Sequence, residues 1–142
     1  MEVTYSPKQK AKDFNEEFLE DCKVDQITVL EKLEDLPIIL NRWLKHYYDS
    51  RFLLNDLKKE KDNIYADCLV ELETSDDVRY RGLSKSAMNA VINNSSKMKK
   101  IENLIKEQEL LVEYLKDVVD SCKFTIMGSC KGIIEIRTLE EM

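Results

Sequence analysis

Apolar residues recur along this chain at alternating steps of three and four. The first series runs Leu40, Trp43, Tyr47, Ser50, Leu54, Leu57, Lys61, Ile64 and Cys68, and only Ser50 and Lys61 depart from apolar or semi-apolar character. Such a seam marks one face of a long helix with coiled-coil-like packing. Pro37 suits a first helical turn, where its missing N–H costs nothing, and no glycine or proline follows before Gly82. One helix is therefore predicted over Pro37–Leu72. Thr74, Ser75, Asp76, Asp77 and Gly82 are turn formers. Ser84 is then a good N-cap for a second long helix. Its seam runs Ala87, Val91, Asn94, Met98, Ile101, Ile105, Gln108, Val112, Leu115, Val119, Cys122 and Ile126, with Leu104, Leu111 and Val118 as a flanking row.

The remaining segments carry weaker signals. Residues 1–12 read as disordered. Asp13–Cys22 reads as a short amphipathic helix with Phe14, Phe18 and Leu19 on one face, and Asp25–Asp35 as a loop or a second short helix. Gly128 and Gly132 weaken the second long helix near its end, and "IIEIRTLEEM" closes the chain with a short apolar patch. The predicted fold is all-α: an elongated antiparallel helical hairpin of two long helices with a short N-terminal helix, assembling through coiled-coil-like packing. It is one helical domain over 1–142, with 13–72 holding the N-terminal and first long helix, 73–83 the loop, and 84–142 the second long helix and an oligomerisation tail. The second helix has more apolar surface than one partner helix covers. Leu104, Ile105, Leu111, Val112, Leu115, Val119, Ile133, Ile134 and Ile136 are therefore expected to bury against other subunits. Asn94 and Gln108, at seam positions, either fix register or face solvent at a splayed end.

Composition supports helices. Of 142 residues, 35% are charged and only three are glycine and two proline, too few turn formers for a many-stranded sheet. No apolar run approaches the roughly 18–20 residues of a membrane span. The start, MEVTYSPKQKAKDF, has no apolar core and does not read as a signal peptide, so a soluble, cytosolic protein without membrane association is expected. Cys22, Cys68, Cys122 and Cys130 are scattered and form no CxxC. They are expected to be free thiols, without disulfide, zinc or other cofactor.

Charge changes the picture most. The chain holds 22 basic and 28 acidic side chains, a net of −6. Between Arg79 and Lys106, however, Arg79, Arg81, Lys85, Lys97, Lys99, Lys100 and Lys106 face a single carboxylate, Glu102. Arg79, Arg81 and Lys85 cluster where a loop enters a helix, whose N-terminus also favours anions. Tyr80 is placed to stack on a base, and "NNSSKMKK" offers amides, hydroxyls and lysines to phosphates. Three readings stay open: a nucleic-acid contact, a dock for an acidic protein, or a solvated patch. Lys58, Lys59 and Lys61 lie among Asp56, Glu60 and Asp62 and read as an ordinary charged helix face. No enzyme signature is present: Walker A, GxGxxG and HExxH are all absent. The lone histidine, His46, has no motif supplying a catalytic partner.

The order of these features resembles the UvsY family, the recombination mediators of T4-like phages. The resemblance runs from about Glu17 to the C-terminus. It rests on "EDCKVD", on "LPIILNRWLKHYYDSRFLLNDLKKEKDNIY", on "LSKSAMNAVINNSSKMKKIENLIKEQELLVEYLKDVVDS" and on a tail like "IIEIRTLEE"; their order and spacing carry it, and no single motif does. The resemblance implies a non-enzymatic ring-like homo-oligomer, of hexamer or heptamer type, that binds single-stranded DNA. It further implies weakening the hold of a single-strand-binding protein and loading a RecA-like recombinase, in the cytoplasm of an infected bacterial host, in DNA recombination and repair. The rival reading is a non-enzymatic coiled-coil scaffold or adaptor whose basic stretch docks an acidic protein.

Two departures stand out. Family members often carry Lys and Arg late in the first long helix, implicated in DNA contact, where this chain has "NIYADCLVEL" with Asp67 and Glu71. That site does not carry over, and Lys58, Lys59 and Lys61 are only nearby substitutes. A basic-small-aromatic element of the family's tail is replaced here by "FTIMGSCKG". On this reading the nucleic-acid contacts are Arg79, Arg81, Lys85, Lys97, Lys99 and Lys100, with Lys58, Lys59 and Lys61 beside them.

Overall fold

Helix is the only regular structure in the computed structural model, which describes residues 4–141. The elements are α1 (Pro7–Asp21), α2 (Val29–Glu73), a 3₁₀ turn (Val78–Tyr80), α3 (Lys85–Asn93), α4 (Ser96–Ser121), a π-helical turn (Cys122–Ile126) and α5 (Met127–Glu141). The chain is thus all-α.

Helix boundaries differ from expectation where local chemistry outweighs the seam. Within the stretch expected to be disordered, α1 begins at Pro7. Ser6 caps it by accepting from Gln9 N at 3.3 Å, and Pro7 occupies the first turn. Met1–Val3 lie outside the described residues. Helix α2 starts at Val29 rather than Pro37, so Pro37 sits inside it. The entry is fixed by Asp25, whose Oδ1 accepts from Ile27 N at 2.9 Å, Thr28 N at 2.8 Å and Thr28 Oγ1 at 3.0 Å. A proline inside a helix removes a backbone hydrogen bond and costs about 3 kcal/mol. Burial of Val29 and Leu36 in the core beneath opposes that cost. The second long helix is interrupted twice. Asn94 caps the end of α3, and Ser95 opens α4 by accepting from Met98 N at 3.3 Å while donating to Ile92 O at 2.6 Å. Farther on, the π turn separates α4 from α5, and α5 continues through Gly128 and Gly132 as regular helix.

Two compact units divide the chain, residues 1–51 with 110–142 and residues 52–109. In the first, Trp43, Leu111, Leu115, Val118, Cys122, Ile126 and Cys130 form a core with Val29, Leu36 and Ile39. Arg137 donates to Gln26 O, while Leu33–Leu40 border Cys122 and Met127, so the tail runs antiparallel to the start of α2. Helix α1 is held by aromatic packing, with Phe14 and Phe18 each 5.9 Å edge-on to Trp43. A buried carboxylate adds to this. Asp21 accepts from Trp43 Nε1 at 2.7 Å and from Arg42 Nη2 at 2.8 Å, and Arg42 also pairs with Glu17.

In the second unit Leu57, Ile92, Met98, Ile101 and Ile105 form the core. Lys61 reaches Glu102, while Cys68–Ser75 border Val91–Ser95, so here too the two arms run antiparallel. Gln108 is fully buried and Asn94 is exposed. The second-helix seam holds from Met98 onward, but the break at Asn94–Ser95 shifts its phase, so α3 buries Ile92 and leaves Val91 exposed.

Candidate nucleic-acid interface

The cationic stretch lies within residues 52–109, on the 3₁₀ turn and the starts of α3 and α4. Its local structure follows from short polar side chains. Asp77 caps the 3₁₀ turn and accepts from Arg79 N at 3.0 Å. Gly82, at φ 72°, takes the left-handed turn that follows. Ser84 then caps α3 by accepting from Ala87 N at 3.2 Å, which leaves Lys85 as the first residue of that helix. Ser95 does the same for α4, and Lys97, Lys99 and Lys100 fill its opening turns.

These lysines sit at the electrostatically unfavourable end of each helix. The N-terminus carries partial positive charge, and stable helices usually place carboxylates there. Neither α3 nor α4 has an acid in its first turn. Lys85, Lys97, Lys99 and Lys100 are exposed, and among the described residues none makes an ion pair. Each cation so placed costs about 0.3–1 kcal/mol at low salt. A bound anion would offset that cost at both helix starts.

The other basic residues differ among themselves. Arg79 is committed: its guanidinium pairs with Asp77 at 2.7 Å and lies 5.6 Å over the Tyr80 ring. The Arg79 side chain, then its backbone N–H, holds the Asp77 carboxyl below the usual range, and Asp77 in turn raises the Arg79 guanidinium. Arg81 is exposed and without an ion pair among the described residues. On α2, Lys58 and Lys59 are exposed, whereas Lys61 is half-buried and pairs with Glu102 at 3.5 Å. That contact takes up the one acid of the Arg79–Lys106 stretch. It also joins Lys61 to the α4 face that carries Lys99 and Lys106, one turn either side of Glu102. The exposed acids Asp56, Glu60, Asp62, Asp67, Glu71 and Glu73 lie along the same half of α2.

The side chains expected to meet other subunits are mostly spent within their own unit. Leu111, Leu115 and Val119 are buried in the Trp43 core, and Ile105 in the Leu57 core. Leu104, Val112, Ile133 and Ile134 are half-buried, and Ile136 is half exposed. The neighbouring Leu139 is 69% exposed and Leu110 66%. Sequence reasoning missed the capture of Arg79 by Asp77, for which the two-residue spacing was the signal. It also missed the groove lined by Cys68, Glu71, Leu72, Tyr80, Val91 and Ile92, which joins segments distant in sequence.

Among the described residues no group of three or more His, Cys, Asp or Glu is arranged to hold a metal ion, and no helix is long and apolar enough to cross a membrane. His46 lies against Phe14 and Trp43, with Nε2 3.3 Å from Glu17.

No family model matches the chain, and no curated protein matches it in sequence. Solved structures do match. Crystal structures of the bacteriophage T4 recombination mediator protein UvsY in lattice types IV, II and I each align with a TM-score of 0.74. They cover 92%, 92% and 90% of this chain and 98%, 97% and 98% of theirs, at 16%, 14% and 15% identity. The chain therefore has the UvsY fold across nearly its whole length, as its order of features led one to expect.

Proposed function

We propose that this chain is a non-enzymatic recombination mediator that binds single-stranded DNA, helps displace a single-strand-binding protein and loads a RecA-like recombinase. The observation that carries the reading is the placement of Lys85, Lys97, Lys99 and Lys100 at two helix starts that lack first-turn acids, on a fold shared with a recombination mediator. Lysines at such positions fit phosphate oxygens better than any internal partner. Lys58, Lys59, Lys61, Arg79 and Arg81 belong to the same unit and extend the contact. The chain works as a homo-oligomer on this reading: each copy offers a modest basic face, and repetition around a ring turns weak contacts into useful avidity. The net charge of −6 limits binding elsewhere on the surface.

The test is binding of a labelled single-stranded oligonucleotide across a salt series, with native mass measured in parallel. A mediator loses affinity steeply with salt, forms a multimer, and speeds recombinase assembly on DNA precoated with single-strand-binding protein. A multimer that binds no oligonucleotide even at low salt, yet captures an acidic protein, would replace this reading with the adaptor.

A further inference from the structure

Glu71 stands where a phosphate-binding surface should have no carboxylate, and its surroundings give it another use. A groove of about 270 Å³ opens between the end of α2 and α3, lined by Glu71, Leu72, Tyr80, Val91 and Ile92 among others, with the hydroxyls of Ser75 and Ser95 also on its wall but engaged with Asp77 N and Ile92 O. Its floor is apolar, since Ile92 is 1% exposed, and Val91 at its edge is exposed. Tyr80 supplies an aromatic ring, held in place by Arg79 stacked over it at 5.6 Å. We infer that this groove takes one unstacked nucleobase of a bound single strand, with Tyr80 as the stacking surface and Glu71 as the hydrogen-bond acceptor.

Size, charge and chemistry agree on that occupant. The volume lies below the roughly 300–1,000 Å³ of pockets for drug-sized ligands, and suits a single flat ring system. Arg81 and Lys85, both exposed, lie within five residues of Tyr80 and supply cations suited to the phosphates flanking that base. Aromatic stacking is tolerant of base identity, but a carboxylate is not. It accepts from the exocyclic amino group of cytosine, as Glu and Asp do in duplex recognition. Thymine presents the O4 carbonyl where cytosine has that amino group, and its one edge donor, N3–H, is flanked by two carbonyl oxygens that a carboxylate repels. Glu71 therefore repels phosphate, keeps the backbone at Arg81 and Lys85 and favours an amino-bearing base in the slot. The inference rests on the single-stranded DNA reading above.

The experiment compares three oligonucleotides of equal length by fluorescence anisotropy: all-thymine, thymine with interspersed cytosines, and a fully abasic sugar–phosphate strand. Wild type should bind the cytosine strand several-fold tighter than the thymine strand, and the abasic strand weakest. Glu71→Gln should bring the cytosine-to-thymine ratio to near one; the ratio is decisive because losing a negative charge strengthens all binding. Tyr80→Ala should weaken binding to both base-bearing strands about tenfold, within the range for one base stack, and leave the abasic strand unchanged. Val91→Trp, which fills the groove from its exposed edge, should act like Tyr80→Ala and controls for misfolding of the turn. Equal wild-type affinity for all three strands would overturn the base slot while leaving the mediator reading intact. No binding to any strand would overturn both.

Discussion

Trp43 donates its indole N–H to Asp21 Oδ2 at 2.7 Å, and Arg42, one residue earlier on α2, donates to both oxygens of the same carboxylate. The pair joins the last residue of α1 to the first third of α2. Burial works against the Arg42 charge, but hydrogen bonds to Asp21 and Glu17 outweigh it and raise the guanidinium above its ordinary value. Asp21→Ala leaves a buried N–H and a guanidinium without their acceptor. It is expected to cost about 2–3 kcal/mol, read as a lower urea midpoint with unchanged slope. Asp21→Asn retains one acceptor oxygen and should cost less. A change below about 0.5 kcal/mol for Asp21→Ala, the range of ordinary surface substitutions, would show that aromatic packing alone holds α1.

The cationic groups should not contribute equally to DNA binding. Removing Lys97, Lys99 and Lys100 together should flatten the salt slope by roughly 0.7 for each phosphate that is no longer neutralised. Arg81→Ala should weaken binding more than Arg79→Ala, because Asp77 already neutralises Arg79. The Lys58, Lys59 and Lys61 triple serves as comparison, with Lys61 engaged by Glu102. Loss of binding in that triple, with wild-type affinity in the 97–100 variant, would move the site to α2.

Assembly is best tested at side chains the fold does not consume. Leu111→Asp or Leu115→Asp places a carboxylate in the Trp43 core and should unfold the first unit, at a cost of several kcal/mol. Far-ultraviolet circular dichroism checks this. Ile136→Asp with Leu139→Asp alters exposed positions on α5 and should lower the native mass while helix content stays constant. An unchanged multimer mass would place the proposed interface elsewhere, and a monomeric wild type would overturn the proposed homo-oligomer.

Two aspartates set an acid-side dependence. Backbone and hydroxyl donation from Thr28, then the Ile27 N–H, lower the Asp25 carboxyl, and Arg79 lowers that of Asp77. A depressed folded value means the stabilisation is present above the unfolded aspartate range near about 3.9. It disappears as pH falls through the lower folded values. Carboxyl carbon chemical shifts should show both groups titrating below that range. Asp25→Asn should also loosen the entry to α2.

Cys122 sets the alkaline side. Burial first, then the Asp21 charge, pushes its thiol from 9.0 to about 11. Its contribution to stability is full below about pH 9 and disappears as pH rises toward 11. In native protein at pH 8, Cys122 and Cys130, both buried, should label slowly with a thiol reagent, and exposed Cys22 faster. Mass mapping of early-labelled peptides decides it; early labelling at Cys122 would mean that α5 opens readily.

What the sequence determined by itself was the all-helical fold and its two buried stripes. Burial every three or four residues is a local geometric demand, legible at Trp43, Leu57, Ile101 and Leu115 without knowing the partner helix. The cap at Ser84 was legible for the same reason, since it acts within three residues. Local pattern could not show how far α2 extends: helix through Pro37 depends on Val29 and Leu36 finding a core supplied by α4 and α5. Nor could it show where the wide apolar face of α4 goes. Leu111 and Val118 looked surplus to a hairpin, and Cys122, Ile126 and Cys130 of the tail turned out to complete the core with them. The concentration of charge between Arg79 and Lys106 was plain in the sequence, but which cations are available was not. Ion pairs and grooves depend on distances between residues far apart in the chain, such as Lys61 and Glu102 or Glu71 and Val91, and only tertiary packing sets those distances.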